Sequence, residues 1–133
     1  MGKDAAPLRM GHRMRKDAHV HIINTTRQQT LALQARLADN PWTRFMGLLG
    51  KRTFPAGNAL ILRPCSGIHM FGMHFAIDAL YLDDQQRVVQ VVNRLGPWHI
   101  GPMDPAAECV IEMPAGTLAA TQTAIGDCIV FEG

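Results

Sequence analysis

The segment Phe75-Ala76-Ile77-Asp78-Ala79-Leu80-Tyr81-Leu82 is apolar apart from one carboxylate, Asp78. A strand with one wet face alternates apolar and polar residues, whereas a near-continuous apolar run is a strand covered on both faces. The chain must therefore build a sheet and then pack material on either side of it. Asp78 adds a second constraint, because a carboxylate buried in such a strand has to be paired or hydrogen-bonded.

The neighbouring segments supply the partners. Asp83-Asp84-Gln85-Gln86 reads as a hairpin loop. The β-branched run Arg87-Val88-Val89-Gln90-Val91-Val92 should then pair antiparallel with 77–82. Residues 18–25 read as a strand, and Leu31, Leu33, Ala35 and Leu37 recur at period two, giving a second hairpin turned at Arg27-Gln28-Gln29. Ala59-Leu60-Ile61-Leu62, Cys109-Val110-Ile111-Glu112-Met113 and Cys128-Ile129-Val130-Phe131 complete the strands, with a short helical piece in 118–123.

One longer helix is expected near 41–49. Asn40 can cap it, Pro41 suits the first helical position, and Trp42, Phe45, Met46 and Leu49 share one face before Gly50 ends it. Residues 95–106 hold three prolines and two glycines and must be irregular. The fold class expected is α+β: one compact domain with a mainly antiparallel bent sheet or partly closed barrel and one main helix.

A chain of 133 residues fits a single domain and can bury enough surface to need neither metal nor disulfide. Its net charge of +2 is too small to imply nucleic acid. Residues 1–17 carry five bases and two acids, leaving eight bases and nine acids in 18–133. The expectation is a basic, mobile tail on a near-neutral globular domain. That tail lacks the 7–15-residue apolar segment of a signal peptide, and no run of 18 apolar residues exists. The three cysteines form no C-x-x-C pair, which points to thiols in a reducing compartment and a cytoplasmic location.

An ordered set of short motifs spans 20–131: Arg44-Phe45-Met46-Gly47-Leu48-Leu49-Gly50-Lys51, Ala59-Leu60-Ile61-Leu62, Phe71-Gly72-Met73, Ile77-Asp78, Tyr81-Leu82-Asp83, Pro114-Ala115-Gly116-Thr117 and Gly126-Asp127. On these motifs the chain resembles the family catalogued as domain of unknown function 192. Cys65 and His69 upstream of Met73 look like a bacterial branch of it. Ala76 departs from the proline that commonly precedes the Ile-Asp pair in that family. The resemblance implies a compact, mainly antiparallel β domain and supplies no chemistry.

The candidate site residues cluster just before the central strand and in the 95–106 loop. His69, Met73, Asp78, Trp98 and His99 could together line a pocket for a small molecule or a peptide segment. Binding without catalysis is the preferred reading, because no coherent catalytic set is visible. One alternative is an enzyme in which His69 and Asp78 share proton transfer. Another is a soft-metal site built from Cys65, His69 and Met73, although no standard zinc spacing is matched. Against these stands a structural reading: methionines filling the core, Asp78 capping a turn through backbone N–H groups, Trp98 closing an open end of the sheet. The cofactor, like the ligand, stays unknown from these residues.

Overall fold

The computed structural model describes residues 7–8, 19–38, 53–68, 70 and 73–133. The strands are β1 (Pro7–Leu8), β2 (Val20–Asn24), β3 (Gln29–Ala38), β4 (Asn58–Leu62), β5 (Ile77–Leu82), β6 (Val88–Leu95), β7 (Cys109–Pro114) and β8 (Ile129–Glu132). The short helix α1 (Thr117–Thr121) lies between β7 and β8. Among the described residues the architecture is sheet-dominated, so α+β describes it only loosely. The helix expected near 41–49 falls outside them, as does most of the basic segment 1–17. Its Pro7–Leu8 pairs with β8.

The strands form one sheet in the order β1-β8-β2-β3-β4-β7-β5-β6. Every pairing is antiparallel except β3 with β4. That parallel pair is possible because 39–57 connects them, long enough for a crossover.

The sheet curls until the start of β6 comes round to β8. Arg87 bridges Cys128, Ile129 N–H donates to Gln86 O at 3.0 Å, and the Gln86 side-chain amide donates to Ile129 O at 2.9 Å. The result is a half-barrel closed beside the β5–β6 loop.

Curling sorts the side chains into two clusters. The inner one draws Val20, Ile22, Ile61, Leu80, Leu82, Ile111 and Phe131 from five strands. The outer one gathers Leu60, Leu62, Ile77, Ala79, Tyr81 and Val110 under a cover of Ile68, Met70 and Met73. β5 is buried at every position, because its alternate residues belong to alternate clusters. Each large side chain so buried contributes about 1.5–3 kcal/mol.

The period-two reading of β3 fails at Leu33, which is 57% exposed while Ala32 beside it is buried. The cause is a bulge. The Leu33 and Gln34 N–H groups both donate to Gly57 O, at 2.8 and 2.9 Å, so the ladder gains a residue and the faces exchange.

No helix among the described residues is long and apolar enough to cross a membrane.

Candidate functional site

Asp78 lies in the middle of the buried fold with zero exposure. Its Oδ1 accepts the Arg94 N–H at 2.9 Å, and Oδ2 accepts those of Gly116 at 3.1 Å and Leu118 at 2.8 Å. Helix α1 has five residues, begins on Gly116 at φ 99, and has neither a side-chain cap nor an acid of its own in its first turn. The carboxylate of β5 therefore does the capping from another strand, holding α1 and the end of β6 together.

A second carboxylate organises the far turn. Asp127 Oδ2 accepts from the Asn24 side chain at 2.9 Å, Arg27 Nε at 3.0 Å and Ala124 N–H at 3.0 Å. Burial alone would raise this carboxyl; the hydrogen bonds from Asn24, Ala124 and Arg27, with the Arg27 charge, outweigh it and hold the group below its ordinary value.

The two segments suspected at sequence level do meet. Residues 65–68 and Met70 run alongside 98–108 through a set of backbone bonds. Cys65 N–H donates to Glu108 O, Gly101 N–H to Ile68 O, Asp104 N–H to Ser66 O and Met70 N–H to His99 O, all between 2.8 and 3.0 Å. Tyr81 pins this ribbon to the sheet: its hydroxyl donates to Pro102 O at 2.7 Å. Burial, with the charges of Cys65, Asp104 and Glu112 adding to it, pushes the phenol up to about 12, so it stays a donor.

The ribbon passes close to its neighbours at two glycines, most tightly against a fixed group at Gly101. A Cβ on Gly101 would stand 2.9 Å from the Tyr81 hydroxyl oxygen, and one on Gly67 would collide with Met103 Sδ.

The sequence-predicted residues divide accordingly. Trp98 is 67% exposed on the ribbon and holds a left-handed backbone at φ 66. His99 is exposed beside it, with Nδ1 3.0 Å from Pro97 O. Met73 is buried in the outer cluster, and Cys65 is half-buried with Sγ donating to Gly67 O at 3.0 Å. His69 lies outside the described residues. Asp78 is not brought to Trp98; its oxygens are turned to α1 and β6. Among the described residues no three His, Cys, Asp or Glu side chains are grouped to hold a metal ion.

Sequence reasoning passed over Ile100 and Met103, 68% and 72% exposed on the same ribbon as Trp98. Apolar residues in a Pro/Gly-rich loop were the signal available. It also passed over Glu112, an acid within the apolar run 109–113 much as Asp78 is within its own. Glu112 is 7% exposed on the outer face, and burial pushes its carboxyl up to about 7.

Comparison with known proteins agrees with this architecture. A crystal structure of a protein of unknown function from Novosphingobium aromaticivorans superposes with a TM-score of 0.74 at 17% identity, covering 96% of this chain and 94% of that one. A putative transcription regulator from Sinorhizobium meliloti gives a TM-score of 0.70 at 20% identity, over 84% and 90%. These likenesses show the fold. By sequence, a UPF0127 protein of Thermococcus sibiricus is 31% identical over 84% of this chain and 74% of its own length. One from Pyrococcus abyssi is 33% identical over 80% and 92%. These sequence relatives are archaeal and give no support to the bacterial branch expected from Cys65 and His69. The profile of DUF192, described as "Uncharacterized ACR", matches residues 22–131, and the chain belongs to that family.

Proposed function

We propose that this domain binds without catalysing, and that it engages an apolar small ligand or peptide segment on the ribbon formed by 65–68, Met70 and 98–104. One observation carries this reading: Trp98, Ile100 and Met103 are each about two-thirds exposed or more on a loop that is nonetheless tied down by backbone bonds and by Tyr81. Large apolar side chains held out to solvent on a rigid support are a feature of interaction surfaces. The left-handed backbone at Trp98 adds to this, since such a conformation in an aromatic residue costs of order 1 kcal/mol and needs support around it.

The enzymatic alternative gave Asp78 a proton-transfer role with His69. The commitment of both Asp78 oxygens to three N–H donors weighs against it. Phage display of random peptides against the whole chain tests the binding reading. Selected peptides should be rich in apolar residues and should lose about tenfold or more in affinity with Trp98→Ala or Met103→Ser. Peptides that bind both variants as well as the parent would overturn it.

A further inference from the structure

On the outer face of β3 and β4 lies a cavity of about 270 Å³, none of whose lining residues belongs to the ribbon. At ~30 Å³ per water it offers roughly nine waters' worth of space, enough for a small organic molecule. Its polar lining includes His19, Gln34, Arg36 and Asn58, and Phe54 and Leu60 are among its apolar walls.

Register explains why these side chains converge. Gln34 and Arg36 are two apart on β3 and so share a face. The parallel pairing sets Gln34 against Asn58 and Arg36 against Leu60. The antiparallel pair Val20–Ala35, extended by one step, brings His19 beside Arg36. The bulge at Leu33 sets the face on which Gln34 and Arg36 emerge. Leu60 is 4% exposed and forms a fixed floor, and the Phe54 ring leans on Phe75 at 6.0 Å between centroids.

The chemistry of the lining is one-sided. Five side chains, with Thr53 the fifth, can donate hydrogen bonds, one of them a permanent cation, and no aspartate or glutamate lines the cavity among the described residues. The Arg36 guanidinium has no hydrogen-bond or ion-pair partner there either. Glu112, one strand beyond Leu60, does not line it. An arginine fork with amide donors beside it suits the two oxygens of a carboxylate or the oxygens of a phosphate. The apolar walls suit an aromatic or aliphatic body.

We infer that the cavity at His19, Gln34, Arg36 and Asn58 is a binding site for a small organic anion, an apolar body bearing a carboxylate or phosphate that Arg36 receives.

Titration of the whole, isotopically labelled chain with three probes of similar body tests this: benzoate, phenyl phosphate and the cation benzamidine. Amide and side-chain resonances are followed to about 10 mM ligand, a range that captures millimolar affinities. Saturable shifts at Gln34, Arg36, Asn58 and Leu60 with benzoate or phenyl phosphate, and none with benzamidine, are expected. Whichever anion binds more tightly names the headgroup. Arg36→Gln, a change at an exposed position whose spectrum reports its own folding, should weaken binding about tenfold or more. Absence of saturation with both anions, equal response to benzamidine, or unchanged affinity in Arg36→Gln would each overturn the assignment.

Discussion

Asp78 and Glu112 lie on adjacent strands one register step apart, and they face opposite sides of the sheet. Asp78 pairs with Met113 of the inner cluster, whereas Glu112 pairs with Ala79 of the outer one. Three N–H groups meet the first carboxylate. No hydrogen bond or ion pair among the described residues meets the second. Two acids of similar sequence context thus carry opposite electrostatic consequences.

Glu112 should make stability depend on pH. Its folded-state value, about 7, stands above the ordinary 4.5, so folding favours the protonated form. The contribution is complete below about 4.5, is lost as pH rises through about 7, and is then level. The range amounts to a few kcal/mol. Urea midpoints between pH 5 and pH 8 should fall for the parent and stay nearly flat for Glu112→Gln. An equal slope in both proteins would mean that Glu112 is not the group responsible.

Asp127 acts in the other direction. Its value is lowered, so its contribution is present above the ordinary 3.8 and disappears as pH falls through the folded-state value. Asp127→Asn should unfold at a less acidic pH than Glu112→Gln does, read by circular dichroism on acid titration. Coincident acid midpoints would refute the turn network as the source.

Removing the Asp78 carboxylate leaves three backbone donors without their acceptor in a dry site. Asp78→Ala should cost about 3–5 kcal/mol and Asp78→Asn somewhat less, since the amide keeps one acceptor oxygen. Guanidinium unfolding measures both. A loss below about 1 kcal/mol in Asp78→Ala would show that α1 does not rely on this cap.

The ribbon depends on Tyr81 and Gly101 at one contact. Tyr81→Phe removes the bond to Pro102 O and should cost about 1 kcal/mol, with faster hydrogen exchange at Gly101 and Asp104. Gly101→Ala places a methyl group against the same hydroxyl and should cost about 1–3 kcal/mol. If the exchange at 98–104 were unchanged in Tyr81→Phe, the phenol would be a passenger in the core and not the anchor of the loop.

Periodicity and composition were enough to place strands β2 to β8, but not β1, whose Pro7–Leu8 falls in the expected tail. The apolar runs at 59–62, 77–82, 109–113 and 129–131 are strands, the polar loop at 83–86 turns a hairpin, and the irregular stretch expected over 95–106 follows directly on Leu95, the last residue of β6. These features are local. They follow from side-chain alternation and from backbone groups that proline and glycine withhold or free. The capping alternative for Asp78 was also legible, because a buried carboxylate has few other options. Contacts between distant segments were not legible. Leu33 turns outward because Gly57 O, from the turn that leads into β4, accepts two successive N–H groups. The parallel pairing of β3 with β4 aligns Gln34 and Arg36 with Asn58 and Leu60, and so makes the donor-lined cavity. Asp78 and Glu112 look alike in the chain. Only the curl of the sheet, which gives one strand an inside neighbour with free N–H groups and the next an apolar cover, decided which carboxylate holds the fold together and which one resists it.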